Sequence, residues 1–86
     1  MKSYEIVFTK SALKEIQSIE NKLVENIFFR IERLSQNPRP AGCIKLQGNN
    51  KLWRLRIGKY RIIYSIDDDS CLIDLIAIRH RKEAYN

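Results

Sequence analysis

The sequence has little histidine and cysteine and no long apolar run. Its 86 residues include one His and two Cys, and Cys43 and Cys71 lack the spacing of metal ligands. We therefore expect no zinc site and no cofactor. We interpret both cysteines as free thiols of a cytoplasmic protein, with a disulfide as the open alternative. No apolar stretch approaches the roughly 18 residues of a membrane span. An acid, Glu5, within the short apolar run near the start argues against a signal peptide.

Acidic residues are missing from the middle of the chain. The formal net charge is +6. Residues 1–38 hold six Lys or Arg and five Asp or Glu, whereas residues 39–86 hold ten and five. Between Arg39 and Arg61 there are seven basic residues and no acid. This concentration predicts a surface that binds a polyanion, most commonly a nucleic acid, and a basic surface kept for solubility is the alternative.

Residues 52–64 alternate large apolar and basic side chains on both sides of Gly58-Lys59. Period-two alternation is typical of strands with two different faces, and Gly plus one residue between two such runs predicts a two-residue hairpin loop. This loop places Arg56 opposite Arg61, where like charges cost up to about 1 kcal/mol. The predicted core face carries Trp53, Leu55, Ile57, Tyr60, Ile62 and Tyr64. The predicted basic face carries Arg54, Arg56 and Arg61.

The rest of the chain predicts helices packed on one face of a sheet. We expect a strand from Tyr4 to Phe8, a first helix from about Ala12 to Ile19 capped by Thr9 or Ser11, and a second helix capped by Asn21. The apolar stripe of that helix is Leu23, Ile27, Ile31 and Leu34. Phe29 projects away from the stripe, either as an isolated surface aromatic or as a contact for a partner protein.

Pro38 ends the second helix, and a short extended piece near Ile44 precedes the hairpin. After an acidic turn at residues 67–70, a third strand from Cys71 to Ile78 completes a meander and places Ile76 opposite Arg61. The tail then brings Arg79, His80, Arg81 and Tyr85 toward the basic face. The order of elements predicts one α+β domain over residues 1–86, with an N-terminal strand and two helices on one face of an antiparallel sheet.

Cleavage of RNA needs a group that takes the 2′-hydroxyl proton, a charge that stabilises the phosphorane, and a proton for the leaving oxygen. His80 is the one side chain here with an ordinary pKa suited to proton transfer near neutral pH, although a lone histidine is more often structural. Arginine forks match phosphate oxygens. No acidic constellation of the two-metal kind is present, so we expect any cleavage to be metal-independent.

Two segments resemble the RelE/ParE superfamily of bacterial toxin–antitoxin toxins, and most closely its RelE branch. They are Leu-Trp-Arg-Leu-Arg-Ile-Gly-Lys-Tyr-Arg-Ile-Ile-Tyr at 52–64 and Ile-Arg-His-Arg-Lys-Glu-Ala-Tyr at 78–85. The resemblance implies a microbial-RNase-like fold and metal-independent cleavage of mRNA in the ribosomal A site through 2′-hydroxyl attack. It also implies a cognate antitoxin as partner, with DNA contacted only through the antitoxin complex.

The resemblance assigns site residues by position. It places the family's basic strand pair on Arg54 and Arg56, its Tyr-Arg on Tyr60 and Arg61, its C-terminal catalytic arginine on Arg81 and its base-stacking tyrosine on Tyr85. The strand pair is lysine in the best-known RelE toxins, and arginine is harder to deprotonate than lysine, so the general base is either His80 or an arginine. The predicted catalytic residues are Arg61, His80, Arg81 and Tyr85. The predicted RNA-binding residues are Arg54, Arg56, Lys59, Arg79 and Lys82.

Two other functions fit the same fold. A ParE-like toxin would inhibit DNA gyrase without cutting RNA, and a third possibility is a nucleic-acid-binding module that is not toxic. The basic face, His80 and Tyr85 favour the nuclease, because an inhibitor of gyrase does not need that set of residues.

Overall fold

The computed structural model describes residues 3–46, 48 and 51–80 and contains two helices and five strands within them. In chain order the elements are β1 (Glu5–Phe8), α1 (Lys10–Gln17), α2 (Asn21–Arg33), β2 (Ile44–Lys45), β3 (Leu52–Ile57), β4 (Tyr60–Asp67) and β5 (Leu72–His80). Neither helix of this part of the chain is long and apolar enough to cross a membrane.

The strands form one sheet in the order β1-β5-β4-β3-β2. The meander of β3, β4 and β5 is antiparallel, as predicted, but β1 runs parallel to β5 at the edge, so the sheet is mixed. The two helices connect β1 with β2 and so carry the chain from one edge of the sheet to the other. The predicted α+β architecture is therefore confirmed, with the parallel edge strand as the correction.

Local capping explains where the helices begin. The Ala12 amide donates a hydrogen bond of 3.2 Å to Thr9 Oγ1, so Thr9 caps α1 and the helix begins at Lys10, two residues earlier than predicted. The prediction that Asn21 caps α2 is wrong. Asn21 is the first helical residue, and Glu20 precedes it without a side-chain capping bond.

The core lies between the two helices and the predicted apolar face of the meander, and α1 contributes Ala12 and Ile16 to it. Its most deeply buried large side chains are Ile27, Ile31, Leu34, Leu55, Ile62, Tyr64, Ile73 and Leu75. Burying an aliphatic side chain of this size contributes about 1.5–3 kcal/mol to folding, so this layer holds α2 against the sheet. Trp53 and Tyr60 pack against the same cluster, which confirms the core face predicted for the hairpin.

The β3–β4 hairpin has the predicted register in every pair from Trp53–Tyr64 to Ile57–Tyr60. Gly58 has a φ of +59°, which lies in the left-handed region that glycine enters without strain. A two-residue loop fixes the pairing on either side of it, which explains why the sequence predicted this register.

The register predicted between β4 and β5 is wrong. Arg61 pairs with Arg79, whereas the prediction placed Ile76 there. Tyr64 pairs with Leu75 and Ile63 with Ala77, so Ile76 is an extra residue in β5, a β-bulge. Because of this extra residue, side chains of β5 beyond Ile76 point to the face of the sheet opposite the one that unbroken alternation would give them. Beyond the bulge, Ile78 joins the core cluster in place of the predicted Ala77.

Candidate nucleic-acid interface

Three arginines form a line across neighbouring strands on the face of the sheet opposite the helices. Arg56 of β3 is paired with Arg61 of β4, and Arg61 is paired with Arg79 of β5. We call these three residues the arginine row. The sequence predicted the first pair, and the bulge in β5 adds the third member.

Arg61 occupies the middle of the arginine row and is 6% exposed, whereas Arg56 and Arg79 are exposed. Like charges directly opposite each other destabilise a sheet. Phosphate oxygens bound between the guanidinium groups would reduce this repulsion, because each fork donates two parallel hydrogen bonds. The arginine row is therefore suited to binding a phosphodiester group.

Glu15 of α1 holds the outer end of the arginine row. Its Oε2 lies 2.7 Å from Arg79 Nε, and its Oε1 accepts a hydrogen bond of 3.2 Å from the Ile78 amide. β1 pairs with β5 only as far as Leu75, so α1 covers the edge of β5 beyond that residue. One carboxylate therefore satisfies an edge amide and orients an arginine. Sequence reasoning missed Glu15, because nothing local to α1 reveals which strand edge it meets.

His80 lies on the helix side of the sheet, which corrects the prediction that it joins the basic face. It is paired with Tyr60, and the two rings meet edge to face with centroids 5.2 Å apart. The cavity beside them has a volume of about 400 Å³ and is lined by Leu23 and Ile27 of α2. The bulge is the physical reason, because it exchanges the two faces of β5 beyond Ile76 and so separates His80 from the arginine row.

The remaining predicted site residues fall into two groups. Arg54 is half-buried on β3, on the same face as the arginine row, and Lys59 is exposed in the hairpin loop at the end of the sheet. Arg81, Lys82 and Tyr85 lie outside the described residues.

Two arginines of α2 were missed by sequence reasoning. Arg30 and Arg33 are three residues apart in the last turns of the helix, and both line cavities beside β3. Their i, i+3 spacing shows that they share one side of the helix. The sequence does not show that this side of α2 lies beside Arg54 and Arg56, since that depends on how α2 packs on the sheet.

Comparison with protein families and solved structures gives a consistent result. Residues 6–85 match the family model described as the ParE toxin of the type II toxin–antitoxin system parDE. The chain is 28% identical over 83 residues to a toxin RelE of Mycobacterium tuberculosis, covering 95% of this chain and 86% of that protein. It is 26% identical over 87 residues to a RelE-like toxin protein of Escherichia coli, covering 96% and 90%.

Solved structures with the same fold include RelE toxins from an archaeon and a bacterium. A RelE–RelB complex from Pyrococcus horikoshii superposes with a TM-score of 0.83 at 27% identity, covering 92% of this chain and 96% of that chain. The isolated E. coli RelE toxin has a TM-score of 0.80 at 23% identity, covering 96% and 92%, which shows a shared fold. The family match spans nearly the whole chain, and the protein therefore belongs to the RelE/ParE superfamily of toxins from type II toxin–antitoxin systems.

Proposed function

We propose that this toxin is a metal-independent endoribonuclease that cuts mRNA in the ribosomal A site and so inhibits translation. The observation that carries the proposal is the arginine row, with a buried guanidinium at its centre and a second arginine on each side. Attack by the 2′-hydroxyl on the adjacent phosphate builds negative charge on the phosphorane oxygens. Preorganised positive charge at that point lowers the barrier.

In this proposal Arg61 stabilises the phosphorane, because it lies between two arginines that position the phosphate from either side. Arg56 and Arg79 bind that phosphate, and Arg54 and Lys59 bind its neighbours along the RNA. The resemblance to RelE supplies two further roles. Arg81 provides a second charge at the reacting phosphate, and Tyr85 stacks on a base. Lys82, a further basic residue of the tail, binds the backbone.

His80 is the proposed proton-transfer residue, as the one imidazole in the chain. It is the last residue of β5, and it lines a cavity together with Gly58 and Lys59 of the hairpin loop. Proton transfer requires His80 to reach the same phosphodiester that Arg61 binds, directly or through one water. The proposal therefore requires the reacting phosphate to lie at the end of the strands, between the two faces.

A cognate antitoxin is the proposed protein partner. The similar structure from P. horikoshii is a complex of RelE with RelB, and another RelE–RelB pair is the intact complex from E. coli. An antitoxin that covers the arginine row would exclude RNA. Binding of RNA and antitoxin should then be mutually exclusive.

A reconstituted translation reaction tests the proposed function. Purified toxin is added to ribosomes programmed with a defined mRNA, with and without the antitoxin, and the cleavage ends are mapped. We expect cuts within the A-site codon that leave 2′,3′-cyclic phosphates. The same products are expected when the toxin and the programmed ribosomes are incubated with a chelator that removes transition-metal ions and spares ribosomal Mg²⁺. Intact mRNA at toxin concentrations that stop growth would overturn the proposal.

Inhibition of DNA gyrase is the second candidate, because the matching family model is described as a ParE toxin. Inducible expression in bacteria separates the two activities. Rapid arrest of translation with mRNA cut at codons supports the nuclease. Filamentation and DNA damage with intact mRNA support the gyrase inhibitor. The absence of any effect on growth would leave a nucleic-acid-binding module.

A further inference from the structure

A basic groove lies beside the outer edge of β3, where α2 approaches the sheet. Two cavities of about 370 Å³ each share Arg30, Ala41 and Leu55 in their linings, so they adjoin. Arg33 lines the first cavity, and Arg54 and Arg56 line the second. We call the space between Arg30, Arg33, Arg54 and Arg56 the arginine groove.

The fold leaves this groove open because β2 is short. β2 pairs only with Trp53 and Arg54, so the edge of β3 beyond Arg54 has no neighbouring strand among the described residues. The segment from Pro40 to Gly42 forms the outer wall, and the core residues Leu34 and Leu55 form the floor. Arg30 therefore shares one cavity with Arg54 and Arg56, and Arg33 lines the adjoining cavity over the same apolar floor.

The charge in the arginine groove is not neutralised by acids of the described chain. The ion pairs among the described residues join Arg39 to Asp68 and Arg79 to Glu15, so neither includes an arginine of the groove. No acid lines either cavity. The partial negative charge at the C-terminal end of α2 favours Arg30 and Arg33 in its last turn. That effect does not account for Arg54 and Arg56, which belong to a strand.

An aromatic ring adjoins the groove. Phe29 of α2 is 57% exposed, and the guanidinium carbon of Arg33 lies 5.8 Å from its ring centroid. An exposed aromatic ring beside a groove of arginines is the combination that binds single-stranded nucleic acid, because every base has a face that can stack. An acidic peptide would use the arginines but would gain little from the ring.

We propose that the arginine groove is a second RNA-binding site, which holds the sugar–phosphate backbone of a single strand while Phe29 stacks on one of its bases. The groove is continuous with the arginine row through Arg56, which belongs to both. A strand whose reacting phosphate lies on the arginine row therefore continues around the edge of β3 toward α2. This inference rests on the proposed function in one respect, since it takes RNA as the ligand.

The salt dependence of binding tests the groove separately from cleavage. The probe is a 12-nucleotide 2′-O-methyl uridine strand, which cannot react because its 2′-oxygen is blocked, and its affinity is measured by fluorescence anisotropy across a range of salt concentrations. Each phosphate contact to a single strand contributes about 0.7 to the slope of log affinity against log salt. The double variant Arg30→Gln/Arg33→Gln should therefore lower the slope by about 1.4.

Matched variants separate the groove from general charge. Lys10→Gln/Lys14→Gln removes the same charge from exposed positions of α1 and should leave the slope close to that of the wild type. Phe29→Ala should weaken binding by about fivefold or more without changing the slope, because stacking is not ionic. The single variant Arg33→Gln changes an exposed position and should give half the change in slope. It keeps the test valid if Arg30→Gln impairs folding.

Three outcomes would overturn the inference. The first is a slope that the Arg30 and Arg33 substitutions leave unchanged. The second is an equal loss of slope in the α1 control. The third is displacement of the RNA probe by poly-glutamate together with wild-type affinity in Phe29→Ala, which would assign the groove to an acidic peptide. None of these outcomes decides whether the toxin cleaves RNA, and a toxin that cuts no RNA can still show the expected slopes.

Discussion

The two faces of one strand end differ sharply in their chemistry. On the open face, neighbouring positions of β4 and β5 carry Arg61 and Arg79. One residue further along, on the helix face, they carry Tyr60 and His80. The first pair offers fixed positive charge, and the second offers an imidazole against an aromatic ring. This separation depends on the bulged residue Ile76. Without it, Arg61 would not be paired with Arg79, and Tyr60 would not be paired with His80.

Substitution of His80 is expected to have the largest effect on RNA cleavage. His80→Gln keeps a hydrogen-bonding side chain of similar size but cannot exchange a proton near neutral pH. If His80 transfers protons, the cleavage rate should fall about 10²- to 10⁴-fold, with one limb of the pH–rate profile lost. The measurement is single-turnover cleavage on programmed ribosomes from pH 5 to 9. If His80→Gln cleaves with the rate and pH profile of the wild type, His80 transfers no proton, and the catalytic groups lie on the face that carries the arginine row.

Substitution of Arg61 tests the open face. Arg61→Gln removes the charge at the centre of the arginine row, and the loss of one preorganised donor should lower the cleavage rate about 10²- to 10³-fold. Arg61→Lys keeps the charge without the planar fork and should have an intermediate rate. Circular dichroism on both variants checks folding, since Arg61 is buried. Equal rates in wild type and Arg61→Gln would refute its proposed role.

Substitution of Tyr64 tests a buried hydrogen bond on the helix side of the sheet, away from the strand end. Its hydroxyl donates a hydrogen bond of 2.8 Å to the carbonyl of Pro38, and burial raises the pKa of Tyr64 far above its usual value. Tyr64→Phe leaves that carbonyl unpaired and should lower the free energy of unfolding by about 1–2 kcal/mol. Urea denaturation measures this loss. The half-buried Tyr60 supplies the control, because Tyr60→Phe should change stability less.

Glu15 joins the edge of the sheet to the arginine row. Glu15→Gln keeps an oxygen for the Ile78 amide but releases the ion pair with Arg79, so stability should change by less than about 1 kcal/mol. Arg79 then loses the carboxylate that neutralises its charge beside the phosphate, which should steepen the salt slope for RNA by up to about 0.7. Glu20→Gln removes the same charge from an exposed position and is the control. Equal slopes in the two variants would mean that Glu15 does not restrain Arg79.

The smallest expected effect lies at the other end of the sheet, where Arg39 donates hydrogen bonds of 3.3 and 2.8 Å to Asp68. These bonds, together with one from the Tyr4 hydroxyl, lower the pKa of Asp68 below its usual value. A carboxylate with a lowered folded pKa contributes stability above its unfolded pKa, and this contribution is lost as pH falls through the folded value. The difference in urea midpoint between pH 7 and pH 3 should therefore be slightly smaller in Asp68→Asn. An identical difference would show that the exposed pair contributes nothing.

The sequence predicted some parts of the site and not others for identifiable reasons. The pairing of Arg56 with Arg61 could be predicted because the Gly58-Lys59 loop has a fixed length and both flanking strands alternate. β5 lacks such a signal. Apolar residues occupy both of its faces between Leu72 and Ile78, apart from Asp74, so alternation cannot locate a bulge. The predicted roles of Arg81, Lys82 and Tyr85 stay predictions.

By itself the sequence determined the α+β architecture, the hairpin register and the resemblance to RelE/ParE toxins, since each depends on local spacing and on motifs that are contiguous in the chain. Only the tertiary structure decided which face His80 occupies and which residues surround β3. A single extra residue in β5 reverses the direction of every later side chain of that strand. The bulged Ile76 accepts a hydrogen bond from the hydroxyl of Thr9, a residue far away in the chain. The position of Arg30 in one cavity with Arg54 and Arg56, and of Arg33 in the adjoining cavity, likewise depends on how α2 packs on the sheet.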